Sequence, residues 1–303
     1  MKIGVVGMGW VGSSVARSIL ECGIAQELLL ADVRHEVAEG EAMDLAQGGS
    51  FYPSALVRAA AVEEMNAADA VVIAAGRGGK ANESRLDLLK DNIRIVAELA
   101  SSLRQLRGML VLVTNPVDIM VRVAAEASGL PVERVIGTGT MLDTARLRQV
   151  LARELRIEAR SIHAQVVGEH GDSEVVLWSS AQIGGVSLRR FPGWAPEREG
   201  QVAEEVRRAA YEIIRRKGAT NHAIGFVTAA LLRWMLRGER RVLNVSRMQQ
   251  GLMGISGVAL SLPTIVSAEG ACEVLQPEMN AEERSALEHS AEVLKQAYEH
   301  SRA

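Results

Sequence analysis

The stretch Gly7-Met8-Gly9-Trp10-Val11-Gly12 lies between a short apolar run and a segment with helical periodicity. This G-x-G-x-x-G pattern is informative because it stands between a predicted strand and a predicted helix. The first glycine permits the tight turn, the second lets a pyrophosphate approach the backbone, and the third lets helix and strand pack closely. Free N–H groups at the helix N-terminus would face the phosphates. Gly7, Gly9 and Gly12 therefore predict a dinucleotide site.

Asp32 ends the next apolar run, 20 positions beyond Gly12. A carboxylate at this place can accept hydrogen bonds from both hydroxyl groups of the adenosine ribose. It would also repel the additional phosphate of NADP. We therefore expect NAD as the cofactor; the alternative is that Asp32 is only a turn residue after a strand.

In the first half of the chain, short apolar runs alternate with amphipathic segments. The apolar runs predict buried parallel strands at Ile3–Val6, Leu28–Ala31, Val71–Ala75 and Met109–Val113. The amphipathic segments predict helices at Val11–Cys22, Glu36–Ala46, Arg85–Leu106 and Asp118–Ser128. This alternation predicts an α/β domain with a Rossmann-type doubly wound parallel sheet, which we place at residues 1–140.

The pattern changes after Asp143. Helices are predicted at Asp143–Arg156, Glu199–Arg216 and Ala281–Glu299. Strand-like pieces are predicted at Ile162–Val167, Glu174–Trp178, Val242–Val245 and Val258–Leu262. This mixture predicts a second, mixed α+β domain at residues 141–303, which we expect to be the substrate domain once the polar residues below are considered.

Composition restricts the partners. The 303 residues carry a net charge of −3, so there is no overall positive field to attract nucleic acid or an anionic membrane. No uncharged stretch is long enough to cross a bilayer. Cys22 and Cys272 are far apart and form no C-x-x-C pattern, which favours reduced thiols. We expect a cytoplasmic protein without nucleic-acid or membrane partners.

Three polar segments carry residue types suited to chemistry. His170 lies between glycines after an apolar strand; taken alone, a loop histidine without function is as good an explanation. Asp143 and Arg146, three positions apart, share one helix face, although an ordinary intrahelical ion pair would look the same. The glycine-rich stretch from Gly76 to Arg85 suits a mobile lid or a plain connecting loop.

Three motifs occur together in the order that one protein family shows, namely Thr114-Asn115-Pro116-Val117-Asp118, the Asp143–Arg146 set and Gly168–Ser173. On these residues the chain resembles the L-lactate/L-malate dehydrogenase family, most of all its bacterial L-lactate dehydrogenase branch. The resemblance runs from Gly7 to the Ser285–Leu294 helix. It implies an NAD-dependent dehydrogenase that interconverts a small 2-oxo acid and the L-2-hydroxy acid.

The resemblance also implies roles for the polar residues. His170 would exchange the proton with the ketone oxygen, and Asp143 would fix its tautomer and stabilise the imidazolium. Arg146 would bind the substrate carboxylate with its planar fork. Arg85 would polarise the carbonyl as the lid closes. Asn115 would orient the substrate beside the nicotinamide.

Further positions follow by the same resemblance. Thr220 matches a residue of the substrate pocket, and Val11, Gly76 and Thr114 match positions near the cofactor. No metal is expected, because Arg85 and His170 would do the work of a Lewis acid.

Gly79 departs from the family pattern. Six residues before the lid arginine, lactate enzymes usually have glutamine and malate enzymes have arginine. The missing cation argues against malate, unless Arg77 or Lys80 takes its place through a shifted loop register. The missing side chain also leaves room for a larger 2-oxo acid. His222 either projects toward this pocket or faces elsewhere at a helix start.

Arg148 and His163 match two positions that bind fructose 1,6-bisphosphate between subunits in allosteric bacterial relatives. The alternative for Arg148 is a solvated helix arginine. The resemblance further implies a homotetramer or a dimer.

The sequence thus favours an L-lactate dehydrogenase that converts pyruvate and NADH to L-lactate and NAD. One alternative is a malate or bulkier 2-oxo acid dehydrogenase of the same mechanism. Another is a catalytically idle NAD-binding protein, against which the set His170, Asp143, Arg146 and Arg85 argues.

Overall fold

A nine-stranded sheet organises the molecule, which a computed structural model describes at residues 1–78 and 85–302, with the backbone alone at Arg85. The strands in chain order are β1 (Lys2–Val6), β2 (Glu27–Ala31), β3 (Leu56–Ala59), β4 (Ala70–Ile73), β5 (Met109–Leu112), β6 (Val135–Gly137), β7 (Ile162–His163), β8 (Val166–Val167), β9 (Val175–Val176), β10 (Gln182–Ile183), β11 (Val186–Ser187), β12 (Arg241–Gln250), β13 (Ser256–Ser267) and β14 (Gly270–Val274).

Helices connect and cover these strands. They are α1 (Trp10–Glu21), α2 (His35–Gln47), α3 (Arg85–Ser102), α4 (Val117–Ser128), α5 (Met141–Leu155), α6 (Glu199–Lys217), α7 (His222–Leu236) and α8 (Ala281–Arg302). Glycines in the left-handed region end two of them: Gly129 follows α4 with φ +64°, and Gly218 follows α6 with φ +86°.

The large sheet has the order β14-β13-β12-β6-β5-β4-β1-β2-β3. Strands β1 to β6 are parallel, and β1 lies between β2 and β4. The chain therefore reverses its winding direction at the carboxyl ends of β1 and β4, where ligands bind in doubly wound sheets. The predicted fold class is confirmed, and every strand and helix predicted for residues 1–128 is present within a few residues.

The central strands are apolar because both faces of the sheet are covered. Side chains such as Leu29, Val72 and Val111 are fully buried. Continuous runs of this kind are typical of parallel strands between two helix layers. A separate apolar cluster lies in the second half of the chain, where the rings of Trp178 and Trp194 stack with centroids 6.0 Å apart.

The second half extends the same sheet, which the sequence did not indicate. β12 pairs antiparallel with β13 over most of its length, and Ser246 of β12 pairs with Gly137 of β6. Both strands are longer than the predicted Val242–Val245 and Val258–Leu262. The prediction was too short because polar residues such as Arg247, which are buried in the structure, interrupt the apolar pattern. The domain boundary after residue 140 stays a prediction.

Three strands of the large sheet were not predicted, namely β3, β6 and β14. Each has only three to five residues, and sheet pairing rather than apolar pattern defines it. Among the described helices, none is long and apolar enough to cross a membrane.

Candidate active site

The glycine turn after β1 has the geometry of a dinucleotide cradle. Gly7 has φ +97°, and a Cβ there would lie 2.5 Å from the backbone of Ala75. A Cβ on Gly12 would lie 1.7 Å from the carbonyl oxygen of Gly7, whereas Gly9 has open space around it. The turn thus requires the first and third glycines, and the second leaves the backbone free for a phosphate group.

Asp32 lies directly after β2 and faces this turn. Its Oδ2 accepts the N–H of Met8 at 2.8 Å, and its Oδ1 accepts the N–H of Arg34 at 3.0 Å. The carboxylate is therefore fixed beside the glycine turn, where an adenosine ribose would lie. This position fits NAD.

Gly76 and Thr114 meet at the carboxyl ends of β4 and β5. A Cβ on Gly76 would lie 2.7 Å from Cγ2 of Thr114, and Thr114 Oγ1 donates to the carbonyl oxygen of Ala75 at 2.7 Å. Val11 is half-buried in the first turn of α1. The residues expected near the cofactor therefore lie along one edge of the sheet.

A cavity of about 490 Å³ opens beside this edge. Four predicted site residues line it together, namely Asn115, Asp143, Arg146 and His170. They come from the end of β5, from α5 and from the segment between β8 and β9, so the fold assembles them from distant parts of the sequence. We call that last segment, residues 168–174, the His170 loop.

Asp143 bridges the two cationic residues. Its Oδ2 is 2.5 Å from Nδ1 of His170, and its Oδ1 accepts from Nη1 of Arg146 at 2.8 Å. The carboxylate side chain is only 3% exposed. Since an acceptor at Nδ1 requires a proton there, Nε2 is the ring nitrogen left to exchange a proton with a ligand in the cavity.

This buried pair shifts both ionisations. Burial opposes the charged form of His170, but the charge and hydrogen bond of Asp143 outweigh it and raise the pKa of His170 to about 9. Burial acts likewise against the Asp143 carboxylate, yet His170 and Arg146 hold its pKa below the usual value. The histidine is therefore an acid at neutral pH, ready to give a proton to a ketone oxygen.

Hydrogen bonds fix the His170 loop to three other elements. The N–H of His170 donates to Oδ2 of Asp118 on α4 at 2.7 Å. Gly168 exchanges two backbone hydrogen bonds with Ser261 of β13, and the N–H of Glu169 donates to Oγ of Ser290 on α8. These bonds hold the backbone of the loop, and the bond to Asp143 holds the ring of His170.

Asn92 of α3 supports the opposite wall. Its amide nitrogen lies 3.4 Å from the carbonyl oxygen of Asn115, and its Oδ1 accepts the N–H of Arg77 at 2.9 Å. No role was predicted for Asn92, Asp118 or Ser290. Asp118 belongs to the motif that begins at Thr114, so the sequence could have drawn attention to it. Its hydrogen-bond partner, His170, lies 52 residues away and could not be inferred from the motif.

Two residues considered for the pocket do not line the described part of this cavity. Thr220 is half-buried between α6 and α7 and is absent from the described residues that line the cavity. His222 is exposed at the first position of α7 and is also absent from that lining. Gly79 and the side chain of Arg85 lie outside the described residues, so their roles stay predictions.

Arg148 of α5 and His163 of β7 lie on neighbouring elements, and neither lines this cavity. Nε of Arg148 donates to the carbonyl oxygen of Ala164, the neighbour of the exposed His163 on β7. Burial lowers the pKa of Arg148 from its usual value. The pair is positioned at the surface of α5 and β7, and its phosphate role stays a prediction.

A doubly wound sheet with a fitting dinucleotide turn, next to a buried His–Asp–Arg set, defines the class of nicotinamide-dependent dehydrogenases. Comparison with known proteins agrees. The sequence pattern of the lactate/malate dehydrogenase NAD binding domain matches residues 1–137, and that of the alpha/beta C-terminal domain of the same family matches residues 140–303. The chain belongs to the lactate/malate dehydrogenase family and is an NAD-dependent oxidoreductase.

Individual relatives cover almost the whole chain. The L-lactate dehydrogenase of Thermus aquaticus is 44% identical, with 98% of each chain covered, and that of Synechococcus sp. (strain JA-3-3Ab) is 40% identical at the same coverage. Among solved structures, the minor L-lactate dehydrogenase from Enterococcus mundtii is 36% identical with a TM-score of 0.95, covering 98% of this chain and 97% of its own. A lactate dehydrogenase enzyme from a Medee basin deep-sea metagenome library, also 36% identical, has a TM-score of 0.96 and covers 100% and 99%.

Proposed function

We propose that the protein is an L-lactate dehydrogenase, which reduces pyruvate with NADH and oxidises L-lactate with NAD. The observation that carries the proposal is the bridge from His170 through Asp143 to Arg146 in one cavity. It provides a proton donor and a carboxylate-binding cation in a fixed arrangement. The L-lactate dehydrogenases among the relatives support the choice of substrate.

The chain's own residues perform the steps around hydride transfer. When bound, NADH supplies the hydride. Arg146 keeps the rest of its guanidinium group for the substrate carboxylate while Asp143 holds Nη1. Nε2 of His170 donates its proton to the ketone oxygen, and Asp143 holds the imidazole in position throughout. Asn115 contacts the substrate from the β5 side of the cavity, and Arg85 joins from the start of α3.

The glycine at position 79 favours a monocarboxylic acid. Arg146 is the arginine that lies beside His170 in the described part of the cavity. Arg207 of α6 also lines this part and pairs through Nη1 with Glu204 at 2.7 Å, while its Nε is buried without a partner. Position 79, where malate enzymes have arginine, is glycine, which supports pyruvate over oxaloacetate.

Steady-state kinetics over a panel of 2-oxo acids tests the proposal. We expect the highest kcat/KM with pyruvate and NADH, and a much lower value with oxaloacetate. A strong preference for oxaloacetate, or for a branched or aromatic 2-oxo acid, would show that pyruvate is not the main substrate. A protein that binds NADH but turns over none of the panel would instead be a catalytically idle NAD-binding protein.

Regulation and assembly extend the proposal. We infer a homo-oligomer, a tetramer or a dimer, whose mass light scattering would measure. Arg148 and His163 would bind fructose 1,6-bisphosphate, so activity should rise when this ligand is added and the response should be lost in Arg148→Ala. No response in the parent protein would contradict the idea. The cytoplasmic location stays a prediction.

A further inference from the structure

Glu174 is a buried acid in the cavity to which the mechanism above gives no task. It is the last residue of the His170 loop, directly before β9, is 6% exposed, and lines the cavity with Asp143, Arg146 and His170. Its Oε1 is buried and has no hydrogen-bond partner among the described residues. A buried carboxylate without partners is strongly disfavoured, whereas a neutral carboxylic acid is tolerated.

The neighbouring cations are paired with other carboxylates. On α5, Arg146 pairs with Asp143, which also holds His170 of the loop; on α6, Nη1 of Arg207 pairs with Glu204, while its Nε is buried without a partner. No hydrogen bond or ion pair joins the carboxyl group of Glu174 to any of these described cations. Burial and the nearby Asp143 charge raise the pKa of Glu174 to about 8, although His170, Arg207 and Arg146 oppose them.

The charge balance shows what a neutral Glu174 achieves. Protonated His170, Arg146 and ionised Asp143 together carry an excess of one positive charge, which matches the single carboxylate of a 2-oxo acid. An ionised Glu174 would cancel this excess. It would also offer Arg146 a competing anion at the point where the substrate carboxylate binds.

We propose that Glu174 is a positioning residue that acts as an uncharged carboxylic acid and so keeps the positive charge of Arg146 available to the substrate carboxylate. This inference rests on the proposed function, since it takes Arg146 as the carboxylate-binding group. Substrate binding then requires a protonated Glu174 as well as a protonated His170. Substrate binding therefore weakens as the pH rises, first when Glu174 loses its proton and then when His170 does.

The pH profile of kcat/KM for pyruvate separates the two groups, because it reports ionisations of the free enzyme. Between pH 7 and pH 9, ionisation of Glu174 should lower kcat/KM roughly tenfold, and loss of the His170 proton should lower it about a further twofold. In Glu174→Gln, which stays neutral, the decline over this range should be only about twofold. Glu205→Gln, which removes an exposed carboxylate of α6 that pairs with Arg153, should keep the parent's profile.

Equal declines in the parent and in Glu174→Gln would overturn the inference while pyruvate turnover still upheld the proposed function. Absence of turnover with every 2-oxo acid would instead reject the proposed function. If the variant does not fold, calorimetry on the parent enzyme with bound NADH decides. Binding of oxamate, an amide isostere of pyruvate, at pH 8 should take up about half a proton through Glu174, measured in buffers of different ionisation enthalpy. An uptake near zero would contradict the inference.

Discussion

His170 and Asp143 act as one unit, because the carboxylate both orients the ring and stabilises its charged form. Asp143→Asn should lower kcat/KM for pyruvate about 100-fold or more at pH 7, since an amide cannot stabilise the imidazolium. The decline of kcat/KM at alkaline pH should also begin at a lower pH. Reduction needs protonated His170, so activity is present below its pKa and is lost as the pH rises through it. Without the Asp143 carboxylate, burial and the Arg146 charge lower the pKa of His170, and only the Asp118 charge opposes them.

Rate–pH profiles of parent and variant measure both effects. Asp44→Asn, on the exposed side of α2, removes an aspartate far from the cavity and should leave the profile unchanged. A variant with a normal rate at pH 7, or with an unmoved alkaline limb, would remove Asp143 from this role.

Arg146 is expected to bind the carboxylate through two parallel hydrogen bonds. Arg146→Lys keeps the charge but loses the fork, so KM for pyruvate should rise about tenfold or more. The affinity for NADH should stay within about twofold, because Asp32 and the glycine turn lie at a different place. Arg153→Lys on the same helix, where the arginine is exposed and pairs with Glu205, is the matched control. An unchanged KM in Arg146→Lys would place the carboxylate elsewhere.

The residues that carry the chemistry could be predicted because their types and spacing are unusual. His170 between glycines and Asp143 one helical turn from Arg146 are visible in the sequence. Asp118 and Glu174 could not be assigned in this way. Their roles arise from burial and from contacts across the fold, and a local pattern contains neither.

The His170 loop depends on the backbone at Gly168. This residue has φ +86°, and a Cβ there would lie 2.7 Å from Oγ of Ser290. Gly168→Ala should therefore strain the turn and push the loop away from α8. We expect a loss of about 1–3 kcal/mol in the free energy of unfolding, together with a lower kcat because His170 is displaced.

Urea unfolding and turnover measured on the same preparation test this expectation. Gly200→Ala is a matched control, since Gly200 lies in α6 with open space at its Cβ position. That change should be neutral or stabilise the protein by up to about 1 kcal/mol. A Gly168→Ala protein as stable and active as the parent would show that the loop tolerates the side chain.

The elements of the first half were predictable because their apolar runs and helical periodicities are strong. Short strands such as β3 and β6 give no such signal, since pairing with existing neighbours defines them. The lengths of β12 and β13 were underestimated for a different reason. Buried polar side chains, including Arg247 and Gln249, find hydrogen-bond acceptors inside the fold, and no alternation marks them as internal.

The continuous sheet makes the two halves of the chain one structure. Asn244 of β12 is buried and donates to the carbonyl oxygen of Val166 at 3.0 Å and to Oγ1 of Thr144 at 3.1 Å. It thus joins β12 to β8 and α5. Asn244→Ala should lower the free energy of unfolding by about 1–3 kcal/mol, because buried acceptors lose their donor.

Thermal unfolding should show a single transition in both the parent and this variant, since β6 and β12 share the sheet. Calorimetry can test this. Gln201→Ala, at an exposed position of α6, is the control and should change the transition temperature little. Two separate transitions would mean that the halves unfold independently.

The hydrogen bond from His170 to Asp118 has a consequence for how such an enzyme can change. Asp118 lies on α4, which connects β5 and β6 of the predicted NAD-binding domain. The backbone of the proton donor, His170, is therefore hydrogen-bonded to the domain that would also hold the cofactor. The relative position of the proton on His170 and the hydride of the cofactor therefore depends on contacts outside the cavity wall. A descendant of this chain could exchange wall residues and acquire a new substrate without having to rebuild the reaction itself.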